Sequence, residues 1–413
     1  MLPLASERKR IVQIKQQLGE LEAAIAKAQP QELPPLKQRQ AALRAERKEL
    51  NARNLPIAIM RELPPEKRRL THVRIKGNYL ALGEQVQPDV PAAFNPFPKD
   101  APRTRLGLAR WLVDPSNPLT ARVVVNRIWA RLFGRGLIES EEDFGTQGSP
   151  PSHPELLDWL ASDFMRDWDQ KRLMRTIMNS AIYRQTSVAS AEQVRHDSVN
   201  RMLARGPRVR LEAEFVRDQA LAVSGLLSRK MGGPSVFPYQ PEGVWRFYQQ
   251  TGWPTSKGED LHRRSVYTFW RRLALHPAMM TFDAPTREVC TLRRRPTNTP
   301  LQALATLNDP IFVEASQALA RRIVREGGKT PRERAAFALR LCLARPASAT
   351  QTATLVELYE NVVARYRDRP ADAAKLATDP LGPLPEGMSA AELAAWTVVG
   401  NVVLNLDGVL SKS

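Results

Sequence analysis

The densest group of chemically active side chains in this sequence lies in the stretch FDAPTREVCTLRRRPTNTPLQALATLNDP, residues 282–310. Its first part, residues 282–298, carries two carboxylates, four arginines and an asparagine between apolar residues: Asp283, Arg287, Glu288, Arg293, Arg294, Arg295 and Asn298. Paired guanidinium donors can bind a carboxylate or a sulfate in a two-point contact. The first half of the stretch therefore predicts an anion-binding site, and the alternative is an ionic network that only fixes the loop.

A catalytic interpretation of the same stretch also stays open. Asp283 or Glu288 could act as general acid or base in a hydrolase or lyase that acts on an anionic polysaccharide. A carboxylate beside arginines has a lowered pKa, which suits a base or nucleophile better than an acid. The second half of the stretch predicts helix starts instead, with a capping box at Thr299–Gln302 and an N-cap at Asp309 before Pro310.

Two other places could contribute to a ligand site. The long irregular excursion from Lys230 is rich in Gly, Pro and aromatic residues, and its Trp245 and Trp253 could form a stacking platform or a loop core. The segment Ser152–Glu155 has the pattern of a capping box, and His153 at this helix start could reach a pocket.

The net charge and the two cysteines limit the classes of partner and cofactor that this chain could bind, but they do not identify one. A formal net charge of +18 attracts polyanions, but the chain has no signature of a helix-turn-helix, zinc or RNA-binding module, so specific nucleic-acid binding is not expected and any such binding would be non-specific. The two cysteines, Cys290 and Cys342, form no C-x-x-C or C-x-x-C-H pattern, which excludes a cysteine zinc site or attached haem c within these residues. No cofactor or metal is therefore expected in this chain.

The elements around these residues are mainly helical. Apolar residues at spacings of three and four over residues 6–28, and leucines seven apart from Leu36, predict an antiparallel coiled-coil hairpin. Alternation around Gly77-Asn78 predicts a small β-hairpin. We expect a mainly α protein with an irregular multi-helix domain. The expected division is the helical hairpin at 1–55, a β-containing connector at 56–100 and the helical domain at 101–413, with an irregular insertion at about 230–300.

No segment has the length and apolarity of a membrane span, and the N-terminus has no apolar core of a signal peptide. A cytoplasmic location is expected if Met1 is the true start.

Several motifs in order resemble the planctomycete-type domain of unknown function called PSD. They include RLGLARWLVDPSNPLTARVVVNRIWARLFGRGLIESEEDFGTQG, SHPELLDWLA, YRQTS, GGPSVFPYQPEGVW, RRSVYTFWRR, FDAPTREVC and RRRPTNTPLQALATLNDPIFVEA, and the resemblance covers roughly residues 56–413. In that family the domain ends large exported proteins that carry a cytochrome c domain upstream. The resemblance implies a truncated member, a periplasmic or cell-surface location, and haem c only in a missing upstream domain. The family has no established catalytic residues to assign here.

These observations favour a non-catalytic helical module of an exported, cytochrome-c-associated protein. Its expected partners are an anionic polysaccharide or the upstream cytochrome domain.

Overall fold

The computed structural model describes residues 5–52, 59–244 and 252–412. The chain forms two compact units, one of Met1–Gln87 with Met231–Pro234 and the other of Pro88–Lys230 with Ser235–Ser413. The predicted domain boundaries at residues 55 and 100 stay predictions. None of the helices in the described part of the chain combines the length and apolarity that a bilayer crossing requires.

The first unit contains the predicted helical hairpin. Its helices are α1 (Ala5–Ile25) and α2 (Leu33–Ala52). Ile14 and Leu18, two residues of the predicted apolar seam, are buried. Arg10 near the start of α1 donates two hydrogen bonds, of 2.7 and 2.8 Å, to Glu46 near the end of α2. This pairing fits two antiparallel helices.

The predicted β-hairpin also lies in the first unit. It consists of β1 (Thr71–Arg74) and β2 (Leu82–Val86), which pair antiparallel with a register irregularity between His72 and Arg74. The fold class predicted from the sequence, mainly α with this small sheet and an N-terminal helix pair, is confirmed.

The described residues of the second unit form helices and a strand pair of two residues each. Its elements are α3 (Arg105–Leu112), α4 (Thr120–Phe133), α5 (Pro154–Phe164), α6 (Gln170–Met178), α7 (Ala191–His196), β3 (Val209–Arg210), α8 (Ala213–Ser224), α9 (Pro277–Thr281), α10 (Pro300–Asn308), α11 (Pro310–Glu326), α12 (Pro331–Leu343), α13 (Ala349–Arg367), α14 (Pro370–Thr378), α15 (Ala390–Leu404), α16 (Asp407–Leu410) and β4 (Ser411–Lys412).

Two hydrophobic clusters hold these helices in place. The larger one surrounds α11, whose Leu319 and Ile323 are fully buried, and includes Trp396 of α15 stacked on Tyr359 of α13. The smaller one joins α4, α5 and α6 around Trp129. The larger cluster includes residues of α8, and the smaller one includes residues of α4.

The strand pair β3–β4 connects parts of the chain that are 200 residues apart. Val209 pairs with Lys412, and the backbone of Leu211 donates a 2.9 Å hydrogen bond to the carbonyl of Leu410. The C-cap of helix α4, Gly134, lies next to Val209 of this pair. Its φ of +80° is the left-handed conformation that favours glycine. A Cβ at this position would lie 2.9 Å from Cγ2 of Val209, so glycine also permits the close approach of β3.

Helix caps show where the local predictions succeed. Asp309 is the N-cap of α11, with Pro310 at the first helical position, and Thr330 with Glu333 forms both bonds of a capping box on α12, as predicted. The predicted box at Ser152 is wrong, because α5 begins one residue later with His153 at its N-cap.

Candidate functional site

A cavity of about 680 Å³ lies in the second unit, between the end of α4, the β3–β4 pair, the start of α8 and the loop that contains residues 282–296. Its volume is in the range of small-molecule sites. Six cationic side chains and three carboxylates line it, together with an apolar wall. These charged residues are Arg131, Arg208, Arg210, Arg293, Arg294, Lys412, Glu141, Glu212 and Asp283.

The loop is fixed to α8 by Arg294. Its guanidinium donates hydrogen bonds of 2.5 and 3.0 Å to the two carboxylate oxygens of Glu214, and it lies 3.3 Å from Oε2 of Glu212. Burial raises the pKa of the Glu214 carboxyl, but the hydrogen bond and the charge of Arg294 outweigh burial and hold that pKa below its usual range. Arg294 therefore holds the loop against α8 in the cavity wall.

Asp283 lines the cavity from the other end of the loop, with a φ of +62°. Its carboxylate accepts a 2.7 Å hydrogen bond from the backbone N–H of Thr297 and further bonds from the Thr297 hydroxyl. Buried Gln302 lies 3.4 Å away and also donates to the carbonyl of Thr281. The carboxylate thus joins the two ends of the loop.

This use of Gln302 corrects a second capping prediction. Thr299 is the N-cap of α10, but its side chain makes no capping bond. The Gln302 amide instead donates to the Thr297 hydroxyl at 3.1 Å and accepts a 2.9 Å hydrogen bond from Arg210. Tertiary partners have replaced the local cap, and Gln302 links the loop to β3.

The remaining residues predicted in residues 282–310 lie outside the cavity lining. Arg287, with a φ of +64°, stacks its guanidinium 4.3 Å from the ring centre of Trp270 and lies 3.9 Å from Glu214. Glu288, Arg295 and Asn298 are exposed.

Trp253 and His153 also lie outside the cavity lining. Trp253 packs edge-on against Phe237 and donates a 2.7 Å hydrogen bond to the carbonyl of Pro238, which are the contacts of a loop core. Trp245 lies outside the described residues. His153 has Nδ1 3.0 Å from the hydroxyl of Ser152 at the start of α5.

Two of the cationic groups in the cavity have no carboxylate within salt-bridge distance in the described part of the chain. Arg131 pairs with Glu212, Arg294 pairs with Glu214, and Arg208 and Arg210 both lie against Asp407, whereas Arg293 and Lys412 have no such partner.

Lys412 has a distinct environment. Its ammonium donates a 2.8 Å hydrogen bond to the carbonyl of Leu132 and lies 3.9 Å from the ring centre of Tyr183. Burial lowers the pKa of Lys412 to about 8. The group therefore stabilises the end of α4 and presents a partly desolvated cation to the cavity.

Glu141 is the one carboxyl of the lining that takes part in no hydrogen bond or ion pair within the described residues. The residue is only 6 % exposed, and burial raises the pKa of its carboxyl although Arg293 and Arg131 act to lower it.

Six of the nine charged residues of this site were not identified from the sequence. Asp283, Arg293 and Arg294 were predicted, whereas the residues on α4, β3 and β4 come from distant parts of the chain. One local signal did exist: in PRVRLE, Arg208, Arg210 and Glu212 alternate with apolar residues, as side chains on one face of a strand do.

The described residues offer no place where three or more His, Cys, Asp or Glu side chains could hold a metal ion. Cys290 is exposed and Cys342 is buried, and both are free thiols.

A family model described as PSD1, protein of unknown function (DUF1553), matches residues 104–359. The match confirms the resemblance predicted from the motifs, over a shorter range that contains α4, β3, α8 and the loop of the cavity. Neither a curated protein nor a solved structure matches the chain.

Proposed function

Since this chain belongs to the PSD1 family of proteins of unknown function, we propose on the chemistry of its cavity that it is a non-catalytic helical module which binds anionic groups. The ligand is a carboxylate or sulfate group of an anionic polymer or of a partner protein. The observation that carries this proposal is the excess of cations in the cavity, where Arg293 and Lys412 have no carboxylate partner in the described residues.

The energetic reason is desolvation. The partly buried ammonium of Lys412 has lost part of its hydration, and an anionic ligand returns a charged hydrogen-bond partner to it. Arg208 and Arg210 share Asp407, which leaves the cavity wall a net positive surface. The apolar side chains of Leu132, Leu211 and Phe215 give the non-charged part of a ligand a surface to pack on.

The catalytic alternative with Asp283 and Glu288 has weaker support. Asp283 is engaged by Thr297 and Gln302, and Glu288 is outside the cavity lining. The proposal therefore gives Asp283 the role of holding the loop.

We also propose, from the family resemblance, that the module acts in a periplasmic or cell-surface protein near a cytochrome c domain. An anionic cell-surface polysaccharide would be the natural partner in that setting.

The test uses Arg293→Gln and, as a matched control, Arg295→Gln. Both arginines are exposed, neither forms an ion pair with another described residue, and they lie two residues apart, but only Arg293 lines the cavity. Binding of polygalacturonate, heparin and duplex DNA is measured for the wild type and both variants at several salt concentrations.

We expect Arg293→Gln to lower the affinity for the preferred polymer and to reduce the slope of log affinity against log salt by about one, while Arg295→Gln has a smaller effect. Equal losses in the two variants would contradict the proposal, because the attraction would then come from the whole basic surface. Equal affinity for all three polymers would show that the binding is non-specific electrostatic attraction.

A further inference from the structure

Glu141 lines the cavity from a turn whose backbone is fixed by hydrogen bonds of its neighbours. It lies in a turn after α4 in which the hydroxyl of Ser140 donates a 2.7 Å hydrogen bond to the carbonyl of Asp143 and accepts a 2.8 Å bond from the backbone of Ser149. Just before the turn, the buried Asn126 side chain clamps the backbone of Ile138 with bonds of 2.8 and 2.9 Å. These bonds fix the backbone that carries Glu141 on the cavity wall.

The neighbouring cations do not satisfy this carboxyl. Arg131 uses its guanidinium on Glu212, and Arg294 uses its guanidinium on Glu214 and Glu212. Arg293 is near enough to lower the pKa of Glu141, yet no hydrogen bond or ion pair joins the two.

A largely buried carboxyl without a hydrogen-bond donor is unfavourable, because it has lost part of its hydration and has gained no donor, while the oxygens of Glu141 keep some access to the cavity. Burial raises the pKa of Glu141 for this reason, against the effect of Arg293, Arg131 and Arg127. A ligand that brings a hydrogen-bond donor to Glu141 would remove this penalty. A ligand that brings only an anion would increase it.

We propose that Glu141 accepts a hydrogen bond from a ligand hydroxyl, so that the cavity selects hydroxylated carboxylates of the sugar-acid class over carboxylates without hydroxyl groups. This inference rests on the proposed function, in which Arg293 and Lys412 bind the anionic group. The cavity then recognises two parts of one ligand, an anion at the cationic groups and a hydroxyl at Glu141.

The test compares two ligands that share a six-membered ring and a carboxylate. Galacturonate carries ring hydroxyls, and cyclohexanecarboxylate carries none. Their affinities are measured by calorimetry for the wild type, Glu141→Leu, Glu141→Gln and Arg293→Gln. Urea unfolding of each variant establishes that it is folded.

Glu141→Leu is expected to shift the affinity ratio of galacturonate to cyclohexanecarboxylate by about tenfold or more toward the second ligand, as the loss of one hydrogen bond to a charged group predicts. Glu141→Gln keeps an acceptor oxygen and is expected to restore part of the ratio. An unchanged ratio in a folded Glu141→Leu protein would overturn the inference.

The same experiment separates this inference from the proposed function. If Arg293→Gln lowers the affinity for both ligands, but the affinity ratio is the same in the wild type and in Glu141→Leu, the anion site is supported and the hydroxyl contact is refuted. If neither ligand nor polygalacturonate responds to Arg293→Gln, the anion site itself is refuted, and the inference fails with it. Comparing galacturonate with oligogalacturonate shows whether the ligand is a free sugar acid or a polymer unit.

Discussion

Replacing Glu214 by glutamine should destabilise the second unit because it breaks the tie between α8 and the cavity loop. Arg294 and Glu214 are only 18 % and 17 % exposed, and two hydrogen bonds join them. Hydrogen bonds to charged groups contribute about 1.5–3 kcal/mol each, so their loss would cost about 3–6 kcal/mol. The glutamine keeps one acceptor oxygen, and Glu212 remains 3.3 Å from Arg294. We therefore expect a cost of about 2–3 kcal/mol.

The assay is urea unfolding followed by tryptophan fluorescence, with Asp158→Asn as the matched control. Asp158 and Arg122 form an ion pair at 2.6 Å, but they are 54 % and 36 % exposed. An exposed pair of this kind contributes about 0.2–1 kcal/mol. The difference between the two variants isolates the effect of burial.

The pH dependence supplies a second check on the same pair. Arg294 holds the pKa of the Glu214 carboxyl below its ordinary value of 4.5, against the effect of burial, so the folded protein keeps this carboxylate charged when the unfolded chain is already protonated. The stabilisation is therefore present above about pH 4.5 and is lost as the pH falls through the folded pKa. Equal costs for Glu214→Gln and Asp158→Asn, or a Glu214→Gln cost that is unchanged in strong acid, would refute this reasoning.

Three further predictions concern other parts of the second unit. A maleimide should label one thiol per folded chain, because Cys290 is exposed whereas burial raises the pKa of Cys342 to about 12. Rapid labelling of both thiols, measured by mass spectrometry, would contradict this. Thr330→Ala should lower the free energy of unfolding by about 0.5–2 kcal/mol in urea, because it removes the capping box of α12, and no change would show that the cap is not needed. Gly134→Ala should lower the thermal midpoint by more than the cap variant does, because its Cβ would meet Val209 at a φ of +80°, and an unchanged midpoint would refute this account of β3.

Local signals in the sequence predicted the helices well. The Asp309 side chain accepts a hydrogen bond from the backbone N–H of Ile311, and the capping box joins Thr330 to Glu333, so no distant part of the chain is needed to form either cap. The box at Thr299 failed because Gln302 has tertiary partners in Thr281 and Thr297 that a local pattern cannot show.

Only the cavity residues that lie close together in the sequence could be predicted from it. Arg293 and Arg294 stand out in the sequence as part of a charged stretch, and both line the cavity. Lys412 reaches the same cavity through the pairing of β3 with β4, and the alternation around β3 does not indicate which distant segment pairs with it. Glu141 lies in a turn of several acidic residues, and only its burial distinguishes it from Glu142.

Chemical labelling of Lys412 tests most directly whether the cavity binds anions. Burial lowers the pKa of this amine to about 8, so acetic anhydride can modify it in the folded protein, and exposed Lys171 on α6 serves as the reference in the same chain. The rates at both lysines are measured by mass spectrometry with and without saturating polygalacturonate, for the wild type and Arg293→Gln.

We predict that the polymer slows modification of Lys412 in the wild type, leaves Lys171 unchanged, and protects Lys412 less in Arg293→Gln. An unchanged rate at Lys412 with the polymer bound, or equal protection at Lys171, would contradict the account.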